Sequence, residues 1–118
     1  MIVDDDPKLS RLLGVILDRV GEYTLCEENR PSAAFKTAQA FRPDLILMDV
    51  DMPGKNGGEI ASEIAGDPGM GGTPIVFVTS LVSKREAGQY NGKRFMSKPV
   101  DPVLLLKTVR EILVPASV

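Results

Sequence analysis

Histidine and tryptophan are absent from these 118 residues, and cysteine occurs once, as Cys26. Without histidine there can be no histidine-based triad, no zinc–histidine centre and no histidine phosphocarrier. A single cysteine excludes an internal disulfide, and Cys26 reads as a small core residue. Charge of one sign is also lacking: the formal net charge of −2 offers no global field to draw nucleic acid or an anionic membrane. No apolar run approaches the roughly 20 residues of a membrane span. Asp4, Asp5 and Asp6 stand where a signal peptide would carry bases. The expectation is a cytoplasmic domain with no direct nucleic-acid or membrane partner. Repeats, low-complexity tracts and linkers are missing too, so residues 1–118 read as a single domain with no effector domain among them.

What is there alternates between short apolar runs and helical stripes. Met1–Val3 is a clipped apolar run that ends in acids. Leu9, Leu12, Leu13, Ile16, Leu17 and Val20 follow at helical spacing, with Asp6 suited to the N-cap, Pro7 to the first turn and Gly21 to the stop. Tyr23–Cys26 suits a strand, and Ala34, Ala38 and Phe41 a second helix closed by Pro43. Leu45–Met48 is a second clear strand, Gly57–Ala65 a short helix, and Ile75–Val78 a strand rich in β-branched residues. Phe95–Ser97 is a weaker strand, and Pro102–Val114 closes the chain as a helix. Strands alternating with helices predict a doubly wound, five-stranded parallel sheet flanked by five helices, the fourth of them short.

Sheets of this kind bind ligands outside the carboxyl ends of their strands. The first strand ends in Asp4-Asp5, the third in Asp49, the fourth in Thr79 and the fifth in Lys98. Each alone has an ordinary reading, as a helix start, a turn residue, a strand-end hydroxyl or a solvated lysine; together they converge on one crevice. Crowded carboxylates repel by a few kcal/mol per pair at ~4 Å and an effective dielectric near 20. A divalent cation relieves that repulsion, and oxygen ligands alone point to Mg²⁺ or Mn²⁺. With a lysine and a hydroxyl beside it, the crevice suits a phosphoryl group: Asp49 attacks phosphorus in line while the cation and Lys98 neutralise the equatorial oxygens.

The segments VDDDP at 3–7, LILMDVDMPGKNG at 45–57, IVFVTS at 75–80 and FMSKPV at 95–100 resemble, in order and over nearly the whole chain, the receiver domain of two-component response regulators. That resemblance implies that Asp49 is the phospho-acceptor, Asp5 a direct metal ligand, Asp4 its water-mediated partner, and the Asp51 backbone carbonyl a further ligand. It also implies that Thr79 is the switch hydroxyl, Phe95 the aromatic that follows it, and Lys98 the phosphate-binding lysine, with a cis peptide before Pro99. The implied partners are a sensor histidine kinase or a histidine phosphotransfer protein. The implied chemistry is self-phosphorylation and autodephosphorylation rather than enzymatic turnover on an outside substrate. The stretch between Thr79 and Lys98 is a few residues shorter than the family habit, hence the short fourth helix. Two other readings compete. One is a receiver-like binding module that works without phosphorylation. The other is a haloacid-dehalogenase-type phosphatase, for which Asp49-Val50-Asp51 would be the DxD pair. The latter motif normally sits on the first strand, and 118 residues leave no room for a cap domain.

On the closing helix, Leu105, Leu106, Val109, Ile112 and Leu113 form a core stripe at 100° per residue. Val103, Leu104 and Val114 fall on the far side beside Lys107. The resemblance places that side on the face of the fourth helix, fifth strand and fifth helix, which receivers use for homodimers and effectors.

Overall fold

The computed structural model describes residues 1–81, 88–90 and 93–113. The order is β1 (Ile2–Val3), α1 (Pro7–Asp18), β2 (Glu27–Glu28), α2 (Ala34–Phe41), β3 (Ile46–Asp49), α3 (Gly57–Ala65), β4 (Ile75–Thr79), β5 (Gly88–Tyr90), β6 (Lys93–Ser97) and α4 (Pro102–Leu113). The sheet runs β2-β1-β3-β4-β6-β5. The first five strands in that spatial order are parallel, as predicted, and β5 adds an antiparallel edge to β6. The chain steps outward from β1 to β2 and then crosses back to β3 on the other side. The mouths of β1 and β3 therefore flank the switch point where such sheets bind ligands.

Each face of the sheet is covered by a helix pair. α2 and α3 pack over Val3, Ile46, Met48 and Phe77, and α1 and α4 over Ile2, Leu47, Val76 and Val78. Successive strand residues alternate between these two clusters, as the period of two requires. Both faces being buried, the central strands read as continuous apolar runs rather than alternating ones. The helix starts follow the residues available. Asp6 caps α1 by accepting the Lys8 N–H at 3.0 Å, with Pro7 in the first turn. Asn56 and Glu59 close a reciprocal capping box on α3.

Several boundaries differ from those predicted; among them, β4 runs one residue further, to Thr79, and β6 starts two residues earlier, at Lys93. The second strand is Glu27–Glu28, not Tyr23–Cys26. Tyr23, Leu25 and Cys26 still pack on the two cores, yet only the two glutamates are in register with Ile2 and Val3. This is an edge strand on which Glu27 is exposed and the buried Glu28 carboxylate is satisfied by Thr37 and Arg30, so its apolar signal lies outside its ladder. β3 extends one residue further than expected, making Asp49 itself a ladder residue opposite Val78. α1 ends at Asp18, before Gly21 takes a left-handed turn at φ 77°. The fourth helix was expected between Thr79 and Phe95; residues 82–87 and 91–92 of that stretch lie outside the described residues, and Gly88–Tyr90 form a short strand that was not expected. Four helices stand among the described residues. On α4 the predicted stripe holds: Leu105 and Val109 are buried, while Val103 and Leu104 are exposed. Val114 lies outside the described residues.

Candidate functional site

Asp4 follows β1 directly and is 3 % exposed. Its N–H donates to the Glu28 carbonyl at 3.2 Å, and its carboxylate accepts the Asp6 N–H at 2.9 Å. The three consecutive acids thus divide their work, Asp6 capping the helix while Asp4 and Asp5 turn to the crevice. Asp49 ends β3 and is 4 % exposed. The first turn of α3 comes back close beneath it, with the Gly57 N–H donating to the Val50 carbonyl at 3.0 Å. Only glycine fits there, since a Cβ on Gly57 would collide with the Asp49 carbonyl oxygen and Met48 Cγ. Lys98 is aimed at the same point from the end of β6. Its N–H donates to the Thr79 carbonyl at 3.0 Å, and the Lys98–Pro99 peptide is cis.

The side chains meet. Lys98 Nζ lies 3.0 Å from Asp49 Oδ1 and 3.3 Å from Asp4 Oδ2. Ligand oxygens of Asp4, Asp5 and Asp49 all fall within 4.8 Å of one another. Burial drives the Asp49 carboxyl above its ordinary value, the Lys98 bond pulls it back, and the neighbouring Asp4 charge pushes it up again. For Lys98, burial disfavours the ammonium, but the bond to Asp49 and the charges of Asp4 and Asp49 outweigh it and raise its pKa. Among the described residues, three carboxylates against one ammonium leave an excess of two negative charges when all are ionised. A hard divalent cation is the natural complement of an all-oxygen set with that excess, so the donors fit Mg²⁺ or Mn²⁺.

Thr79 is buried at the end of β4, its Oγ1 accepting the Leu81 N–H at 3.0 Å. Phe95 stacks on Phe77 with ring centroids 5.4 Å apart, and Lys93 Nζ lies 5.8 Å from the Phe77 ring centre. In the ladder Phe77 faces Phe95 and Thr79 faces Ser97. Alternation therefore puts Thr79 and Phe95 on the same face of the sheet, one strand apart. The Asp51 side chain is exposed and stands apart from the carboxylate cluster. Two residues escaped the reading of the sequence. Asn29 Nδ2 donates to the Asp4 carbonyl at 2.8 Å and to Ser10 Oγ at 2.8 Å. An asparagine just past the second strand, level with the acids ending the first, was the available signal.

A doubly wound sheet with a carboxylate–lysine cluster at the mouths of its central strands defines the class of α/β domains that work at the strand ends. The chain matches the response regulator receiver domain family over residues 1–110 and belongs to it. It is 33 % identical over 116 residues to Protein PilH of Pseudomonas aeruginosa, covering 96 % of this chain and 95 % of that one. It is 31 % identical to the DNA-binding response regulator MtrA of Mycolicibacterium smegmatis, covering 93 % of this chain and 48 % of that protein. Among solved structures it is similar to the chemotaxis response regulator CheY4 of Vibrio cholerae, with a TM-score of 0.80, 28 % identity and 95 % of each chain covered. The chain is thus a receiver domain of two-component signalling, a family of signalling modules that interact with histidine kinases. No helix among the described residues is long and apolar enough to cross a membrane.

Proposed function

We propose that this domain accepts a phosphoryl group on Asp49 from the phosphohistidine of a sensor histidine kinase or histidine phosphotransfer protein. The observation that carries this reading is the Lys98 ammonium bridging Asp49 and Asp4 inside a three-carboxylate cluster. An Asp49 oxygen attacks phosphorus, the bond from phosphorus to the donor imidazole breaks, and an aspartyl acyl phosphate forms. Lys98 then turns from the carboxylates to the new phosphoryl oxygens, whose charge it neutralises. Asp5 would hold Mg²⁺ directly and Asp4 through water, with the Asp51 backbone carbonyl and Asp49 as the protein's further ligands. The cation supplies charge neutralisation at the transferring group. Autodephosphorylation reverses the charge flow, with water attacking the acyl phosphate and Asp49 leaving as a carboxylate.

The Thr79 hydroxyl, drawn to the phosphoryl group, gives up the Leu81 N–H, and Phe95 moves into the space it leaves. The coupling selects between two packings of one surface. The exposed Val103 and Leu104 on α4, beside Lys107, form the apolar part of the output face and serve a homodimer or an effector. In this account residues 1–118 are one receiver domain, acting in the cytoplasm with no direct nucleic-acid contact, and turning over no outside substrate.

Incubation with acetyl phosphate and Mg²⁺ tests the acceptor. The protein should gain one phosphoryl mass, while Asp49→Asn and metal-chelated wild type gain none. Equal labelling of Asp49→Asn would place the nucleophile elsewhere. Absence of labelling in wild type by both acetyl phosphate and a phosphohistidine donor would favour the phosphorylation-independent module.

A further inference from the structure

Asn29 takes no part in the chemistry above, yet it holds the chain where that chemistry is assembled. The Asp4 carbonyl that it binds belongs to the peptide joining Asp4 to Asp5. A peptide unit is planar and turns only about its two flanking dihedrals. Anchoring its oxygen therefore restrains the backbone from which the Asp5 side chain projects, relative to Asp4. The anchor is itself braced. Ser10, fully buried, accepts from Asn29 and lies within hydrogen-bond reach of Glu27 Oε1 at 3.1 Å and the Pro7 carbonyl at 3.2 Å. Glu27 is paired with Arg11 Nε at 3.6 Å.

What the anchor works against is the mutual repulsion of the three carboxylates. Lys98 restrains Asp4 and Asp49, whereas among the described residues no ion pair restrains Asp5. Asp5 is partly exposed, and the backbone before it sets the direction from which its side chain leaves. We infer that Asn29, braced by Ser10, is a positioning residue for the divalent cation, orienting the Asp4–Asp5 peptide so that both carboxylates face one ion. This rests on the metal-assisted reading of the site and adds to it a determinant of affinity that never touches the ion.

Calorimetric titration with Mg²⁺ and Mn²⁺, alongside thermal melts in chelator, tests the inference on wild type, Asn29→Ala, Ser10→Ala and Thr37→Ala. Loss of one neutral hydrogen bond corresponds to about a fivefold rise in Kd for Asn29→Ala. Ser10→Ala, which keeps the carbonyl bond but loses the brace, gives a smaller rise. Thr37→Ala breaks a 2.6 Å bond to Glu28 on the other side of the same strand, so its melting temperature falls while its Kd stays that of wild type. An unchanged Kd in Asn29→Ala, or an equal rise in Thr37→Ala, overturns the inference and leaves the metal site standing. No binding by wild type overturns both. Should Asn29→Ala fail to fold, Ser10→Ala decides, and an unchanged Kd there refutes the positioning role.

Discussion

Replacing Lys98 by methionine removes the ammonium that bridges Asp4 and Asp49 in a crevice of three carboxylates while keeping most of the side-chain volume. At 3.0 and 3.3 Å, and an effective dielectric near 20, its attractions to Asp49 and Asp4 are each about 5 kcal/mol before desolvation. Desolvating the ammonium cancels much of this. Breaking a fully buried pair from one side costs about 3–5 kcal/mol net. The Lys98 side chain is 24 % exposed, so water softens the loss to about 2–3 kcal/mol. For a domain of this size that is a fall in Tm on the order of 10 °C, read by circular dichroism at pH 7.5 in chelator and low salt. The pH dependence has a definite sign. Burial and Asp4 already hold the Asp49 carboxyl above its ordinary value, and losing Lys98 raises it further. A carboxyl with a raised folded pKa favours the folded state below its unfolded value of 3.8 and loses that contribution as pH rises through the folded pKa. The deficit of Lys98→Met is therefore full at neutral pH and shrinks towards pH 4. Millimolar Mg²⁺ should narrow it at pH 7.5 by restoring positive charge, and adding Asp4→Asn should recover part of it in chelator. A Tm within 2 °C of wild type at pH 7.5, or a deficit that grows on acidification, would refute this account of the cluster's electrostatics.

Gly57→Ala places a methyl against the Asp49 carbonyl oxygen and Met48 Cγ, so it should cost about 2 kcal/mol or more and slow phosphoryl acceptance as Asp49 shifts; wild-type stability and labelling would show that α3 yields freely. Burial works against the Glu28 charge, but the Thr37 hydroxyl and the Arg30 backbone N–H and guanidinium hold its carboxyl below the ordinary 4.5. Its contribution is present above pH 4.5 and lost as pH falls through the folded pKa, so acid titration of stability should be flatter in Thr37→Ala than in wild type. Leu104→Asp, on the 43 % exposed side of α4, should leave folding and Asp49 labelling intact and weaken self-association or effector binding in a sedimentation assay; unfolding would instead make Leu104 a core residue.

Local pattern alone determined a good deal of this protein. Apolar runs of four residues marked β3 and β4, and an Asp-Pro start marked α1, because those signals depend only on neighbours along the chain. Parallel alternation then placed Asp4, Asp5, Asp49, Thr79 and Lys98 at strand mouths before any distance was known. Tertiary structure decided what depends on pairing between remote segments. It put the second strand on Glu27–Glu28, whose charges hide it, since an edge ladder follows its partner β1 rather than its own hydrophobicity. It also added Gly88–Tyr90 as an antiparallel edge on β6 that no apolar pattern announced. The bridging of Asp4 and Asp49 by a single ammonium, and the hold of Asn29 on the carbonyl between two acids, join residues 25 to 94 positions apart. Contacts of that span leave no periodic trace in the sequence, because nothing about either partner's neighbours changes when they meet.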